Sequence, residues 1–221
     1  MGTTRLGLYN DALLQCKERF LASLTENVKA RRLLDSVWNG NGVNYCLEQG
    51  QWQFAMRSIR IEYDPDITPE FGYTYAFNKP DDWILTSAVC SDDRFVSPVR
   101  RYADEVDYWL SDDSPLYIKY VSNDEAFGGD LSRWPSTFCD YVGAYFASKI
   151  VLELTGSKEL YAAIMQPKSG QLERSLLIAK NRAMMTQPAT RPVAGSWVRS
   201  RASGGRLGPM GDGGNSGSLI G

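Results

Sequence analysis

Apolar side chains recur with the period of a helix at both ends of this chain and with the period of a strand between them. From Arg5 to Phe20 they fall at Leu6, Tyr9, Leu13, Cys16 and Phe20. Steps of three and four predict an amphipathic helix with Thr3 or Thr4 as its N-cap. After a connector, Leu21–Glu26, a second helix is predicted from about Asn27, with Ala30, Leu34, Val37, Trp38 and later Tyr45 on one face. Its middle reads Asn39-Gly40-Asn41-Gly42, and each glycine there costs about 1 kcal/mol relative to alanine. Because the apolar phase resumes at Tyr45 and Cys46, the expectation is a kinked helix that runs to about Gly50.

Beyond Trp52 the period shortens to two. Ile59, Ile61 and Tyr63 alternate with polar residues, and so do Phe71, Tyr73, Tyr75 and Phe77, the pattern of half-buried strands. Further strands are predicted at Ile84–Cys90, Phe95–Val99, Val106–Leu110 and Leu116–Val121. The last two should form a hairpin about the loop Asp112-Asp113-Ser114-Pro115. A β-rich insert is thus expected over residues 58–122. Helical period returns at Pro135, a good first helical residue, with Phe138, Val142, Phe146, Ile150 and Leu154 in one stripe and Tyr141 and Tyr145 beside it. Thr155-Gly156 should stop that helix and Ser157 should cap the next, which carries Leu160 and Ile164. Pro167-Lys168-Ser169-Gly170 then breaks the run before a last helix through Leu172, Leu176, Ala179 and Ala183. The fold class expected is α+β.

Composition adds a boundary. Residues 186–221 hold nine of the 20 glycines and set four arginines against one aspartate. They are too poor in apolar residues to fold alone, so an extended Gly/Arg-rich tail is expected over residues 187–221. The rest of the chain is correspondingly acidic, within a net charge of −2, which argues against a whole-chain nucleic-acid partner. No stretch reads as a signal peptide or a membrane span, and Met1-Gly2 lacks the hydroxyl residue of a myristoylation signal, with Leu6 in its place. Cys16, Cys46, Cys90 and Cys139 share no metal-ligand spacing and read as buried thiols in a reducing compartment.

The chemistry on offer is sparse. The sequence has no histidine, which removes the commonest general base and nucleophile partner, and no phosphate-binding or nucleophile-elbow motif is present. Asp81-Asp82, Asp92-Asp93 and Asp112-Asp113 could in principle hold the magnesium of a nuclease. Each stands beside turn formers, where aspartate bonds to nearby backbone amides. Asp64-Pro65-Asp66 lacks the rest of a calcium loop. The aromatic run Phe71 to Phe77 could stack bases, but only Lys79 lies nearby to hold a backbone. No catalytic, cofactor-binding or metal-binding residue is assigned, and no enzyme activity is expected.

Four segments in this order carry a resemblance. They are Leu8-Tyr9-Asn10-Asp11-Ala12-Leu13 with Leu21–Glu26 and Ala30-Arg31-Arg32-Leu33-Leu34; Cys46-Leu47-Glu48-Gln49-Gly50-Gln51-Trp52-Gln53-Phe54-Ala55; Phe71–Trp83 with its Pro80-Asp81-Asp82 turn; and Leu116–Val121 followed by Trp134-Pro135 and the Phe138 helix. Together, over about residues 6 to 200, they resemble the head-to-tail adaptors of tailed phages, specifically the tail tubular protein A family of short-tailed phages. The Asn39–Gly42 stretch departs from that pattern.

The resemblance implies an antiparallel-type helical bundle of N-terminal with C-terminal helices (residues 1–57 and 123–186) carrying the β-rich insert. It also implies a homo-oligomeric ring, usually a dodecamer, with the portal protein above, a tail nozzle or tube protein below, and DNA passing through the lumen without specific binding. Neither a membrane nor a cofactor enters, and the place of action would be the virion's head–tail junction after synthesis in the host cytoplasm. The tail would be ordered on portal binding, with Trp197 as an apolar anchor and Arg199 and Arg201, with Arg191 upstream, meeting acidic groups. Rival readings are another tail completion or nozzle component, a carboxylate-dependent metal nuclease, and a nucleic-acid-binding module using the basic tail.

Overall fold

The computed structural model describes residues 3–186, and these form a mixed α+β fold. The first helix, α1 (Arg5–Gln15), starts where the sequence places it: the Thr4 side chain accepts the Gly7 N–H. It ends earlier than the apolar spacing predicts. Cys16 is its C-cap and Lys17 takes a φ of 58°, so Phe20 lies outside the helix and is half exposed. Next come α2 (Lys29–Val37), a wide turn over Trp38–Gly42, and α3 (Val43–Glu48). The glycine–asparagine stretch is the kink: Gly40 leaves helical geometry and Asn41 sits at a φ of 63°, in the left-handed region that asparagine tolerates. Gly42 is required for packing, since a Cβ there would lie 2.6 Å from the Val37 carbonyl oxygen. The helical path ends at Glu48, two residues before Gly50.

Two three-stranded antiparallel sheets follow. β1 (Met56–Ile61), β3 (Trp83–Cys90) and β6 (Leu116–Ser122) form one, in the order β1-β6-β3. β2 (Tyr75–Asn78), β4 (Tyr102–Asp104) and β5 (Tyr108–Ser111) form the other, in the order β2-β5-β4. The expected hairpin around Asp112–Pro115 therefore does not exist. β5 and β6 are the middle strands of different sheets, and the loop carries the chain from one to the other. Its length and turn residues suit a hairpin equally well, so pairing had to be decided by the partners β1 and β2. Other boundaries shift for local reasons. Gly72 has a φ of 74°, which cuts Phe71 and Tyr73 off from β2, and Phe95 has a φ of 55°, leaving only a Cys90–Pro98 bridge where a strand is predicted. Three-residue β4 is too short to show a period.

The C-terminal elements are α4 (Ser136–Thr155), α5 (Lys158–Met165) and α6 (Gln171–Met185). Pro135 caps α4 instead of opening it, Gly156 closes it in the left-handed conformation, and the Ser157 hydroxyl accepts the Leu160 N–H to start α5. α4 is the centre of the helical part. It buries residues on nearly every side from Phe138 to Val151 because α1, α2, α5 and α6 all pack on it. A helix so enclosed needs apolar residues all round, not one stripe. Gly143 lets α1 approach closely; a Cβ there would stand 3.3 Å from the Asp11 Cβ.

The helical core is threaded with aromatic rings. Trp52 lies 4.8 Å from Phe138, Phe54 lies 4.8 Å from Phe138, and Trp134 meets Phe138 edge-on at 4.9 Å. Ala55 and Val121 join the same core, so the β1-β6-β3 sheet abuts the helices. A second, smaller core of Phe77, Val89, Trp109, Leu116, Ile118 and Tyr120 lies among the strands.

Candidate functional site

The paired aspartates resolve into three different roles. Asp92 behaves as a turn residue, accepting the Ser97 N–H at 2.7 Å and the Val96 N–H at 3.1 Å. Asp112 accepts the Thr74 N–H and hydroxyl, each at 3.0 Å, and pairs with Arg101 at 3.3 Å. Asp82 does more than shape its turn. It takes Arg57 Nη1 at 2.9 Å, the Tyr120 hydroxyl at 3.1 Å and the Ser122 hydroxyl, and so ties the β2–β3 turn to β1 and β6. Burial pushes its carboxyl pKa up, but the hydrogen bonds from Ser122, Arg57 and Tyr120 outweigh that and hold it below the usual range. Asp64 accepts the Asp66 N–H and an Asn78 amide hydrogen, an Asx-type turn. Among the described residues no three Asp, Glu or Cys side chains come together as a metal site would require.

The aromatic run does not make a stacking platform. Phe71 is 82% exposed, whereas Phe77 is fully buried. Tyr75 packs on Tyr63 at 4.7 Å, and Tyr73 lies against Arg101. Lys79, the one cation expected to serve such a platform, is committed internally. Its side chain is only 5% exposed; its ammonium pairs with Asp104 at 2.5 Å, donates to the Glu105 carbonyl, and stands 3.5 Å from the centroid of the Trp83 ring.

The four cysteines are buried and unbonded to one another, as the sequence suggests. Burial pushes the Cys16 thiol up to about 11, with Glu18 adding to the effect, so it stays protonated and unreactive at neutral pH. A further network joins α1 to α2. Arg5 donates to Tyr9 at 2.8 Å and to Asp35 at 2.7 Å, and Arg31 donates to the other Asp35 oxygen at 2.6 Å. The Arg5 guanidinium also lies over the Trp38 ring at 4.7 Å. This cluster fastens the two helices and leaves no free functional group.

What remains open to a partner is apolar surface. α6 turns Ala179 and Ser175 inward yet also carries Leu177, Ile178, Met184 and Met185 on the outside, with Leu177 58% exposed. An open groove of about 410 Å³ lies on it, lined by Leu176 and Leu177 together with Lys168, Glu173, Arg174 and Lys180. A smaller hollow of about 190 Å³ lies where Trp52, Phe54 and Phe138 meet Ala179 and Arg182. The sequence reading missed the outer face of α6. Its signal was the consecutive run Leu176-Leu177-Ile178, wider than one buried stripe can use. Arg191, Trp197, Arg199 and Arg201, on which portal docking is expected, lie outside the described residues.

No protein-family model matches the chain, and no curated protein matches it. No helix among the described residues is long and apolar enough to cross a membrane.

Proposed function

We propose that the chain is a structural, non-enzymatic subunit of a phage head-to-tail adaptor ring, joining the portal to the tail and forming part of the DNA ejection channel. The reading rests on the ordered likeness of four segments to the tail tubular protein A family. The observation of the fold that favours it is the apolar outer face of α6. Exposed leucine, isoleucine and methionine on one helix mark a surface built to be covered, and a ring subunit needs such surfaces on its flanks. In this reading α1, α2, α4 and α6 are the bundle, the two sheets are the insert, and residues 187–221, through Arg191, Trp197, Arg199 and Arg201, reach the portal. The acidic balance of the body suits a conduit, because like charge keeps DNA from adhering as it slides.

The test is co-sedimentation with the portal ring, comparing the full chain with one that ends at Gln187. Retention of the full chain and loss of the shortened one is the expected result. Retention of both would move the contact to the body. Retention of neither would remove the protein from the head–tail junction.

A further inference from the structure

The groove on α6 is basic as well as apolar. Lys168, Arg174 and Lys180 line it, and none forms an ion pair with another described residue. Its one carboxylate, Glu173, is already engaged, accepting the Lys168 backbone N–H at 2.6 Å. The occupant should therefore be a small apolar knob flanked by carboxylates.

The chain itself presents such a knob. β4 and β5 are joined by three residues, Glu105, Val106 and Asp107, and the Glu105 N–H donates to the Tyr108 carbonyl at 2.9 Å. Tight hairpins of this length favour Asn or Gly at positive φ, yet neither Val106 nor Asp107 has one, and a β-branched apolar residue occupies the tip. Val106 is 84% exposed. Glu105 and Asp107 on either side of it make no ion pair among the described residues. The tip is also held in shape: the Lys79 N–H donates to the Asp107 carbonyl at 2.9 Å while its ammonium holds Asp104 and the Glu105 carbonyl. A preorganised tip loses little freedom on docking.

We infer that the Glu105-Val106-Asp107 tip of one copy seats in the Leu176–Leu177 groove of a second copy, with its two carboxylates facing Lys168, Arg174 and Lys180. The two surfaces differ, so the contact is heterologous: every copy offers a tip and a groove, and repetition closes a ring or runs on as a chain. The inference deepens the ring reading above and rests on it for closure. The cations that would meet those carboxylates are open to solvent, Lys168 and Arg174 exposed and Lys180 partly so, so association weakens as salt rises and the Debye length, about 8 Å at physiological ionic strength, shortens.

The test is disulfide trapping in the full-length protein. V106C and L177C variants, mixed under a mild thiol oxidant, should give a cross-linked heterodimer in several-fold higher yield than V106C mixed with L14C, a control at another exposed leucine. Adding E105K and D107K to the first variant should abolish the yield, and adding R174E and K180E to the second should restore it. Equal yields in the L177C and L14C mixtures would overturn the pairing. So would L177C linking mainly to itself, which makes the groove a two-fold contact. Portal co-sedimentation of the unaltered chain is scored separately, so a failed trap with intact portal binding rejects this contact and leaves the adaptor reading standing.

Discussion

The helical part and the two sheets are held together by different means. Around α4 the core is large, apolar and rich in rings, with one charged cluster, Arg5, Arg31 and Asp35, fastening α1 to α2 beside it. Among the strands the core comes down to six buried side chains, and much of the order is set by charged groups: Asp82 across β1 and β6, Lys79 between Trp83 and Asp104, and Asp112 on Thr74. The contrast follows from geometry. A twenty-residue helix wrapped by four others buries area without special chemistry, whereas three short strands on each side bury little and need specific bonds to fix register and loops. The helices should therefore fail by cavity formation, and the strands by loss of charge.

The largest effect expected on that basis is Phe138→Ala. The ring touches Trp52, Phe54 and Trp134, and its removal should cost about 3–5 kcal/mol by chemical denaturation. A loss under about 1 kcal/mol would mean that the aromatic core is loosely packed.

Asp82→Asn should cost less, about 2 kcal/mol at neutral pH, because Arg57 keeps some exposure and the full penalty of a broken buried pair does not apply. The pH dependence carries the sharper test. The folded-state pKa of Asp82 is depressed, so its contribution is present above the unfolded value, about 3.9, and is lost as pH falls through the lower, folded value. Melts of wild type and Asp82→Asn should therefore converge below about pH 4. A gap that stays constant down to pH 2 would show that charge is not the cause. The smallest effect is Thr4→Ala, about 1 kcal/mol from loss of the α1 cap, read in the same denaturation series.

The same contrast explains what the sequence could and could not disclose. α1, α4, α5 and α6 were legible because their apolar period is local and their caps, Thr4, Gly156 and Ser157, announce themselves. β1 was legible from the alternation at Ile59 and Ile61, and β3 and β6, predicted at Ile84–Cys90 and Leu116–Val121, lie within a residue of those bounds. The pairing of β5 was not, since nothing within Asp112–Pro115 tells a hairpin from a crossing between sheets. The first half of the strand predicted over Phe71–Phe77, and the strand predicted at Phe95–Val99, failed on backbone angles at Gly72 and Phe95 that alternation does not encode. Asp82 read as a turn residue because its partners Arg57, Tyr120 and Ser122 are 25 to 40 positions away. Of the surfaces, α6 left a trace in its over-wide apolar run. The tip at Val106 was instead absorbed into a predicted strand, Val106–Leu110, because a valine there looks like the start of one.

The crossing between the sheets has a kinetic consequence. The middle strand of one sheet and the middle strand of the other are consecutive in the chain, and each needs at least one flanking partner far from it: β6 pairs with β1 across some 55 to 65 residues, and β5, though it meets β4 in a local hairpin, pairs with β2 across 30 or more. Neither sheet can be completed by local zipping, and contacts of such separation form slowly. In a hydrogen–deuterium exchange experiment, a single peptide spanning 108–122 should thus hold the best-protected amides of both sheets. During refolding it should gain that protection after the helices around α4 have already acquired theirs.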